Sequence, residues 1–264
     1  MNNNHLISLS NSMRMALIVI IYTVLQGCSS TIAVQEDIPE PAMNTLESLN
    51  VPEDTVYAVD VYDPWEGMNR SIYNFNAQLD DYLLIPVVNG YKAYIPKFLR
   101  QGIHNIYSNL TSVNHTVNSA LQLKGDKTVN NGMRFISNTT IGIAGIFDVA
   151  TGMGFPEKQE DFGQVLGHWG AGEGPYLVLP FFGPSNLRDT TGLVADFFIA
   201  DIYLDGFGMN GGSNSNTWVI FYYGLLGIDR RASVDFRYYD SLTPFEYDMI
   251  RMMYTAQRQI LIGK

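Results

Sequence analysis

Charge is what this 264-residue chain has least of: Asp, Glu, Lys and Arg make up 16% of it, against about 25% in a typical soluble protein. Lysine and arginine number 16 against 26 acids, and they form no basic stripe. That excludes nucleic acid as a partner, because its phosphates require clustered cations. No polybasic segment is present to hold anionic lipid. A single cysteine excludes an intramolecular disulfide and a multi-cysteine zinc site. No apolar run reaches the about 20 residues that a bilayer-crossing helix needs. Strict two-residue alternation, the mark of half-buried strands, is also scarce.

What acidity there is lies mostly near the N-terminus, where residues 29 to 60 hold seven acids and no base. Before it, Arg14 precedes the 11-residue apolar run Met15 to Leu25, about 16 Å long as a helix and so too short to cross a bilayer. It reads as the core of a signal peptide spanning residues 1–27. The run ends in Leu25-Gln26-Gly27-Cys28, which resembles a bacterial lipobox and makes Cys28 the lipid attachment residue. Ser29 follows; the absence of Asp at that position favours the outer membrane. Residues 28–61, with Pro39, Pro41 and Pro52 and little apolar pattern, read as a lipidated, disordered tether. The folded body is expected over residues 62–264.

Helical periodicity dominates that body. Ile103, Ile106, Tyr107, Leu110, Val113, Val117, Ala120 and Leu121 recur at three- and four-residue steps and share one helix face. Asn105, Asn109, Ser112, Asn118 and Gln122 fall elsewhere, forming a face of amides and hydroxyls with almost no charge. Val129, Met133, Ile136, Thr140 and Ile143 repeat similarly behind Asp126, a candidate N-cap. Leu193, Phe197, Ala200 and Leu204 define a further helix, and Tyr247, Ile250, Met253, Tyr254, Gln257 and Leu261 a last one. The Gly/Pro clusters of 151–187 and 205–216 read as loops. The fold class is therefore mainly α.

No catalytic constellation stands out. His104 and His115 lie eleven apart without ligand spacing around them, so no metal site is assigned. The glycine run around His168 lacks the Lys-Ser/Thr pair of a nucleotide loop and reads as a tight turn. Ser185, Asp189 and His168 make a hydrolase triad on paper, but Ser185 sits in Gly183-Pro184-Ser185-Asn186 rather than a GxSxG elbow, and serves better as a helix N-cap. Asp80 and Asp81, adjacent on a helix, point apart and form no shared-proton dyad.

The ordered motifs do resemble a family. Asp63-Pro64-Trp65-Glu66-Gly67-Met68-Asn69-Arg70, followed by Ile72-Tyr73-Asn74-Phe75-Asn76, is similar to the opening signature of the VacJ/MlaA phospholipid-binding lipoproteins. Phe162-Gly163-Gln164, Leu166-Gly167, the stretch Gly170 to Tyr176, and Leu179 to Ser185 with Arg188, Asp189 and Gly192 resemble its central block. Tyr247, Arg251, Tyr254 and Arg258 resemble its last helix. Ala171 and the Gly/Ser/Asn segment Gly206 to Asn216 depart from the pattern. The resemblance implies a single helical ring-like domain with an amphipathic central channel, set in the inner leaflet of the outer-membrane bilayer and lipid-anchored on its periplasmic side. It implies removal of mislocalised phospholipid from the outer leaflet toward a periplasmic lipid carrier protein, in association with a trimeric porin, without cofactor, metal or catalytic residues. A structural envelope lipoprotein and an acyl hydrolase are the alternatives.

Two further expectations concern local roles. Tyr73 and Asn76 fall on one helix face while Asn74 and Phe75 point elsewhere, so these four residues are the candidate channel or gate. The uncharged stretch Trp218 to Ile228 is apolar all round and must be buried in protein or lipid. At about 16 Å it fits one leaflet, with Trp218, Tyr222 and Tyr223 suited to the headgroup boundary and Asp229-Arg230-Arg231 ending the insertion. Lipidation contributes about 0.8 kcal/mol per buried CH₂, so Cys28→Ala should lose its membrane anchoring and be mis-sorted. Intact-mass analysis of the native protein should show the lipid adduct on Cys28, and its absence would remove the anchor from this account.

Overall fold

The computed structural model describes residues 61–208, 215–240 and 243–263, with side chains of the 215–232 helix described from Tyr222 onward. The signal peptide and the tether except Val61, Cys28 included, lie outside the described residues, as do the side chains of Trp218 to Phe221.

The chain is mainly helical. Helix α1 (Glu66–Leu79) runs through a π-helical turn (Asp80–Leu84) into α2 (Ile85–Tyr94), followed by α3 (Lys97–Leu121), α4 (Gly125–Thr140), α5 (Val149–Gly152) and α6 (Phe162–His168). Strands β1 (Tyr176–Leu179) and β2 (Gly183–Asn186) form an antiparallel hairpin, Tyr176 opposite Asn186 and Leu179 opposite Gly183. Helices α7 (Leu187–Gly206), α8 (Ser215–Ala232) and α9 (Glu246–Ile262) complete the order. Among the described residues no helix is long and apolar enough to cross a membrane.

Local chemistry sets these boundaries. Pro86 lacks an N–H and so cannot continue the ladder of α1, and the chain passes it through the wider π turn. Pro96 drives Ile95 into extended backbone (φ −97°, ψ 116°), which ends α2 and starts α3. Asp148, Asp161 and Asn186 cap α5, α6 and α7, each accepting a backbone N–H three residues on. The expected caps are displaced: Asp126 sits inside the first turn of α4, behind Lys124, and Ser185 stands one residue before the true cap. The stretch 151–187, expected to be loop, holds α6 and the hairpin. Strand β1 (Tyr176-Leu177-Val178-Leu179) has no polar position to alternate with and β2 (Gly183-Pro184-Ser185-Asn186) contains Gly and Pro, so neither shows alternation to detect.

The helices present their faces in an unusual sense. On α3 the buried side chains are Tyr107, Ser108, Asn109, Ser112, Asn118 and Ser119, while Val117, Ala120 and Leu121 are exposed. On α4 the buried residues are Asn130, Asn131, Arg134, Ser137 and Asn138, whereas Val129 and Ile136 are 63% and 55% exposed. The apolar stripe expected on α4 therefore exists, and faces outward. Helix α7 likewise exposes Val194, Phe198 and Ile202 in one stripe while burying Gly192, Ala200 and Leu204. Two small aromatic cores sit inside: Tyr73, Tyr176, Val178 and Tyr247, and Tyr107, Leu204 and Tyr222.

Helix α8 corrects the expectation for its C-terminal half. Tyr222 is buried with its ring 5.1 Å from that of Tyr107, whose hydroxyl donates to the Tyr222 carbonyl. Asp229 bonds His104 at 2.8 Å, and Arg231 pairs with the buried Asp80 at 2.5 Å. Tyr222 is thus a core residue, not a headgroup-level one, and Asp229 and Arg231 join elements.

Helices α6 and α7 cross at glycines. A Cβ added at Gly192 would lie 2.3 Å from the Gly163 nitrogen and 2.6 Å from its Cα, so neither helix can carry a side chain there. Gly192→Ala should destabilise the fold by about 1–3 kcal/mol or more in chemical denaturation. Gly152→Ala, with nothing within 4 Å of its added Cβ, should leave the midpoint nearly unchanged.

Candidate functional site

The inward faces of α3 and α4 meet the segment 148–160, which supplies their partners. Arg134 donates to Asp148 Oδ2 at 2.8 Å, to Thr151 Oγ1 at 2.9 Å and to the Phe155 carbonyl at 3.2 Å. Asn130 and Asn131 donate to the carbonyls of Pro156 and Lys158 at 2.7 and 2.8 Å. Asn138 receives the Ala150 N–H at 2.9 Å and donates to Asp148 at 3.1 Å. Ser108 donates to Glu157, which also faces His115 at 3.5 Å. The bond to His115, then the Ser108 hydroxyl and Arg134, hold Glu157 below the usual carboxylate range despite burial. The amide and hydroxyl face is therefore packed against chain along this length, and it is held by bonds rather than apolar contact.

A second construction joins α1 to the hairpin. Asn69, fully buried, donates from Nδ2 to the Tyr176 carbonyl at 3.0 Å and to Asp63 at 2.7 Å, while its Oδ1 accepts the Val178 N–H at 2.9 Å. Two turns on, Asn76 donates to the Leu179 carbonyl and accepts the Phe181 N–H, both at 2.9 Å. Two side-chain amides on one face of α1 thus do for β1 what a neighbouring strand would do, and a two-stranded hairpin keeps its outer edge satisfied. Tyr73, between them, is buried and donates to Glu246 at 2.7 Å. Asn74 is half-buried and accepts from the Tyr239 hydroxyl. Phe75 is exposed, edge-on to Phe181 at 5.8 Å. Of the four candidate gate residues, Tyr73 and Asn76 are thus on the buried side and Phe75 faces out.

A third cluster fixes α9. Arg258 bridges Asp161 at 2.6 Å and Asp189 at 2.8 Å, and Tyr254 donates to Asp189 at 2.7 Å. Burial opposes charge on both acids, but bonds from Arg188, Arg258 and Tyr254 hold Asp189 below the usual range, and Arg258 and Gln164 do so for Asp161. The paper triad is not brought together. Asp189 is engaged by arginines, Ser185 bonds Thr190 at 2.9 Å, and His168 is exposed, edge-on to Trp169. His115 bonds the Glu160 carbonyl at 2.7 Å and His104 the Asp229 carboxylate. Among the described residues no three His, Cys, Asp or Glu side chains are grouped as metal ligands.

Asn69, Arg251 and Arg258 stand in the family-like motifs, but the bonds they make here join elements far apart in the chain. Arg134, Glu157 and Glu160 gave no signal, because each bonds between the α3–α4 pair and the segment 148–160, partners that no local pattern links.

The helical body joins its interior by amides and ion pairs and turns apolar stripes outward on α4 and α7, the kind of surface that marks an interaction site. The chain belongs to the MlaA lipoprotein family, whose model matches residues 61–261. It is similar to the intermembrane phospholipid transport system lipoprotein MlaA of Escherichia coli (strain K12), at 43% identity over 141 residues, 52% of this chain and 56% of that protein. The protein of the same name from Haemophilus influenzae is 30% identical over 182 residues, 68% of this chain and 70% of that one. The chain spans about half the length of several curated relatives it matches. A solved structure concerned with the structural basis for maintenance of bacterial outer membrane lipid asymmetry superposes with a TM-score of 0.63 at 31% identity, covering 76% of this chain and 98% of that one.

Two outcomes follow from this geometry. Asn69→Leu strands a buried carbonyl and a buried N–H on β1, and should destabilise the protein by about 2–4 kcal/mol, read from the denaturation midpoint. The Asp189 carboxyl, held below its ordinary 3.8, contributes stability above that pH that is lost as pH falls through the folded value. Arg258→Met should raise the Asp189 titration and move acid unfolding to higher pH, as followed by circular dichroism.

Proposed function

We infer that this chain is a lipid-anchored outer-membrane protein, facing the periplasm, that removes mislocalised phospholipid from the outer leaflet and passes it toward a periplasmic lipid carrier protein, maintaining lipid asymmetry. The inversion of burial carries the reading: leaving a Val, Ile, Met or Phe side chain in water forgoes about 1.5–3 kcal/mol, and α4 and α7 each turn out a stripe of them. Acyl chains are the environment that makes those stripes favourable. With no helix among the described residues long and apolar enough to cross a bilayer, the body sits in one leaflet with its helices lying along it, as a ring with an amphipathic central channel beside a trimeric porin.

The chain acts here by passage rather than chemistry. Ser185 and Asp189 are engaged by other partners and His168 is exposed, so these three form no triad. The candidate gate is the α1 segment Tyr73 to Asn76: Asn76 grips the hairpin turn while Phe75 stacks edge-on against Phe181 at its exposed surface. Removing the Phe75 ring loosens that contact without unpairing a buried polar group.

Full-length protein extracted in mild detergent should retain intact phospholipid by mass spectrometry and release no fatty acid from added phospholipid. Bare protein would favour a structural envelope lipoprotein, and released fatty acid an acyl hydrolase. In cells, Phe75→Ala should change the phospholipid content of the outer leaflet while the protein stays folded. A wild-type level in stably folded protein would remove these residues from the gate.

A further inference from the structure

An open cavity of about 280 Å³ lies at the base of the hairpin, where the described chain begins. Val61, Tyr62, Glu173, Tyr176, Asn186 and Thr255 line it, so it joins the lead-in to α1, the segment before β1, both strands and α9. Backbone bonds fix its walls. The Tyr176 N–H donates to the Tyr62 carbonyl at 2.9 Å, and the carbonyls of Glu173 and Pro175 accept the Arg188 and Leu187 N–H groups at 3.2 and 3.0 Å. Gly174, between those two carbonyl residues, has φ 68°, and a Cβ there would lie 3.0 Å from the Leu187 Cβ, so the turn beside Glu173 requires glycine. At about 30 Å³ per water, the volume suits a molecular group rather than a single solvent molecule or ion.

The lining holds two polar groups that the fold leaves unused. Asn186 spends its amide on Asp189, accepting that residue's N–H at 2.7 Å and donating to its carboxylate at 2.8 Å. Tyr176 is 1% exposed, yet its hydroxyl has no hydrogen-bond partner, and a buried polar group in that state calls for an explanation. Burial, and then the nearby Asp63 carboxylate, push its pKa up, so the group is a neutral hydroxyl able to donate and to accept. Glu173 is half-buried, and among the described residues its carboxylate makes neither an ion pair nor a hydrogen bond. No lysine or arginine among the described residues lines the cavity. A carboxylate and a free hydroxyl without a cation suit a ligand that is itself cationic and carries N–H donors. Phosphate alone is repelled by Glu173, and a trimethylammonium has no N–H to give. Tyr62 on the lining and Leu187 against Gly174 are well exposed, so apolar surface flanks the opening.

We propose that this cavity receives a primary ammonium, the ethanolamine headgroup of phospholipid, with Glu173 as its counter-charge and the Tyr176 hydroxyl accepting one of its N–H donors. The phosphate of the same headgroup then stays toward solvent at the open side. The proposal rests on the reading of this chain as one that passes phospholipid, and adds to it which headgroup is selected and by which two side chains.

The test strips full-length lipidated protein of bound lipid in mild detergent and equilibrates it with equimolar phosphatidylethanolamine, phosphatidylcholine and phosphatidylglycerol of identical acyl chains. Mass spectrometry measures what is retained. Phosphatidylethanolamine should be enriched about tenfold over each of the others, the discrimination expected of a hydrogen bond to a charged group. Neither side chain carries a bond of the fold, so Glu173→Gln and Tyr176→Phe should unfold like wild type by circular dichroism. Glu173→Gln should abolish the enrichment with total retained phospholipid unchanged, and Tyr176→Phe should lower it about threefold. Equimolar glycerophosphoethanolamine, which lacks acyl chains, should leave the retained lipid in place; its displacing the lipid would assign the cavity to a soluble amine and overturn the proposal. Equal retention of the three lipids, a choline preference, or enrichment unchanged in Glu173→Gln would also overturn it while phospholipid passage stands. If wild-type protein retains no phospholipid at all, the reading beneath the proposal fails with it.

Discussion

The structure depends on one constraint: amide, hydroxyl and charged side chains that are buried must find partners, because an unmatched polar group inside a protein costs about 1–3 kcal/mol. Helices α3 and α4 place Asn109, Ser112, Asn118, Asn131, Arg134 and Asn138 inside. Asn109, Ser112 and Asn118 bond Thr139, the Ser108 carbonyl and Asp196, and the segment 148–160 answers Asn131, Arg134 and Asn138 with carbonyls and Asp148. With these side chains turned inward, the apolar sides of the same helices have only the outside left to face. The exterior is therefore a consequence of the interior.

The same logic recurs on a smaller scale at the hairpin. A two-stranded sheet of four-residue strands is marginal by itself. Asn69 and Asn76 extend it with side-chain amides, tying α1 to β1, and Asp63 ties Asn69 in turn to Tyr247 and Arg251 of α9. Asp161, Asp189 and Arg258 lock α9 to α6 and α7. These charges hold elements in place, and the lowered pKa values of Asp161 and Asp189 and the raised one of Arg258 come from their mutual pairing, against burial, rather than from chemistry awaiting a substrate.

Much of this was legible in the sequence, and the part that was not has a physical cause. Periodicity located the helices and separated their polar and apolar faces, and the ordered motifs from Asp63 to Arg258 identified the family. Periodicity cannot say which face is inside, however: Val129 and Ile136 give the same pattern whether they meet a protein core or acyl chains. Caps shifted because Asn186 competes with Ser185 for the same turn. The hairpin was invisible because its pairing partner is a pair of asparagines on a helix more than a hundred residues away. For Trp218 to Ile228, uncharged sequence gave burial without a partner, and Tyr222 turns toward Tyr107 because α3 supplies an aromatic neighbour there.

The central claim is that hydrocarbon covers the outward stripes of α4 and α7. Cysteine substitution at Val129, Ile136, Val194 and Ile202, one at a time, followed by nitroxide labelling of the lipidated protein in bilayers, measures it directly, since the natural Cys28 is expected to be acylated and unavailable to label. Collision with oxygen should be frequent and collision with a water-soluble nickel chelate rare at all four positions. Free access of the nickel chelate to these sites in bilayers would contradict the account.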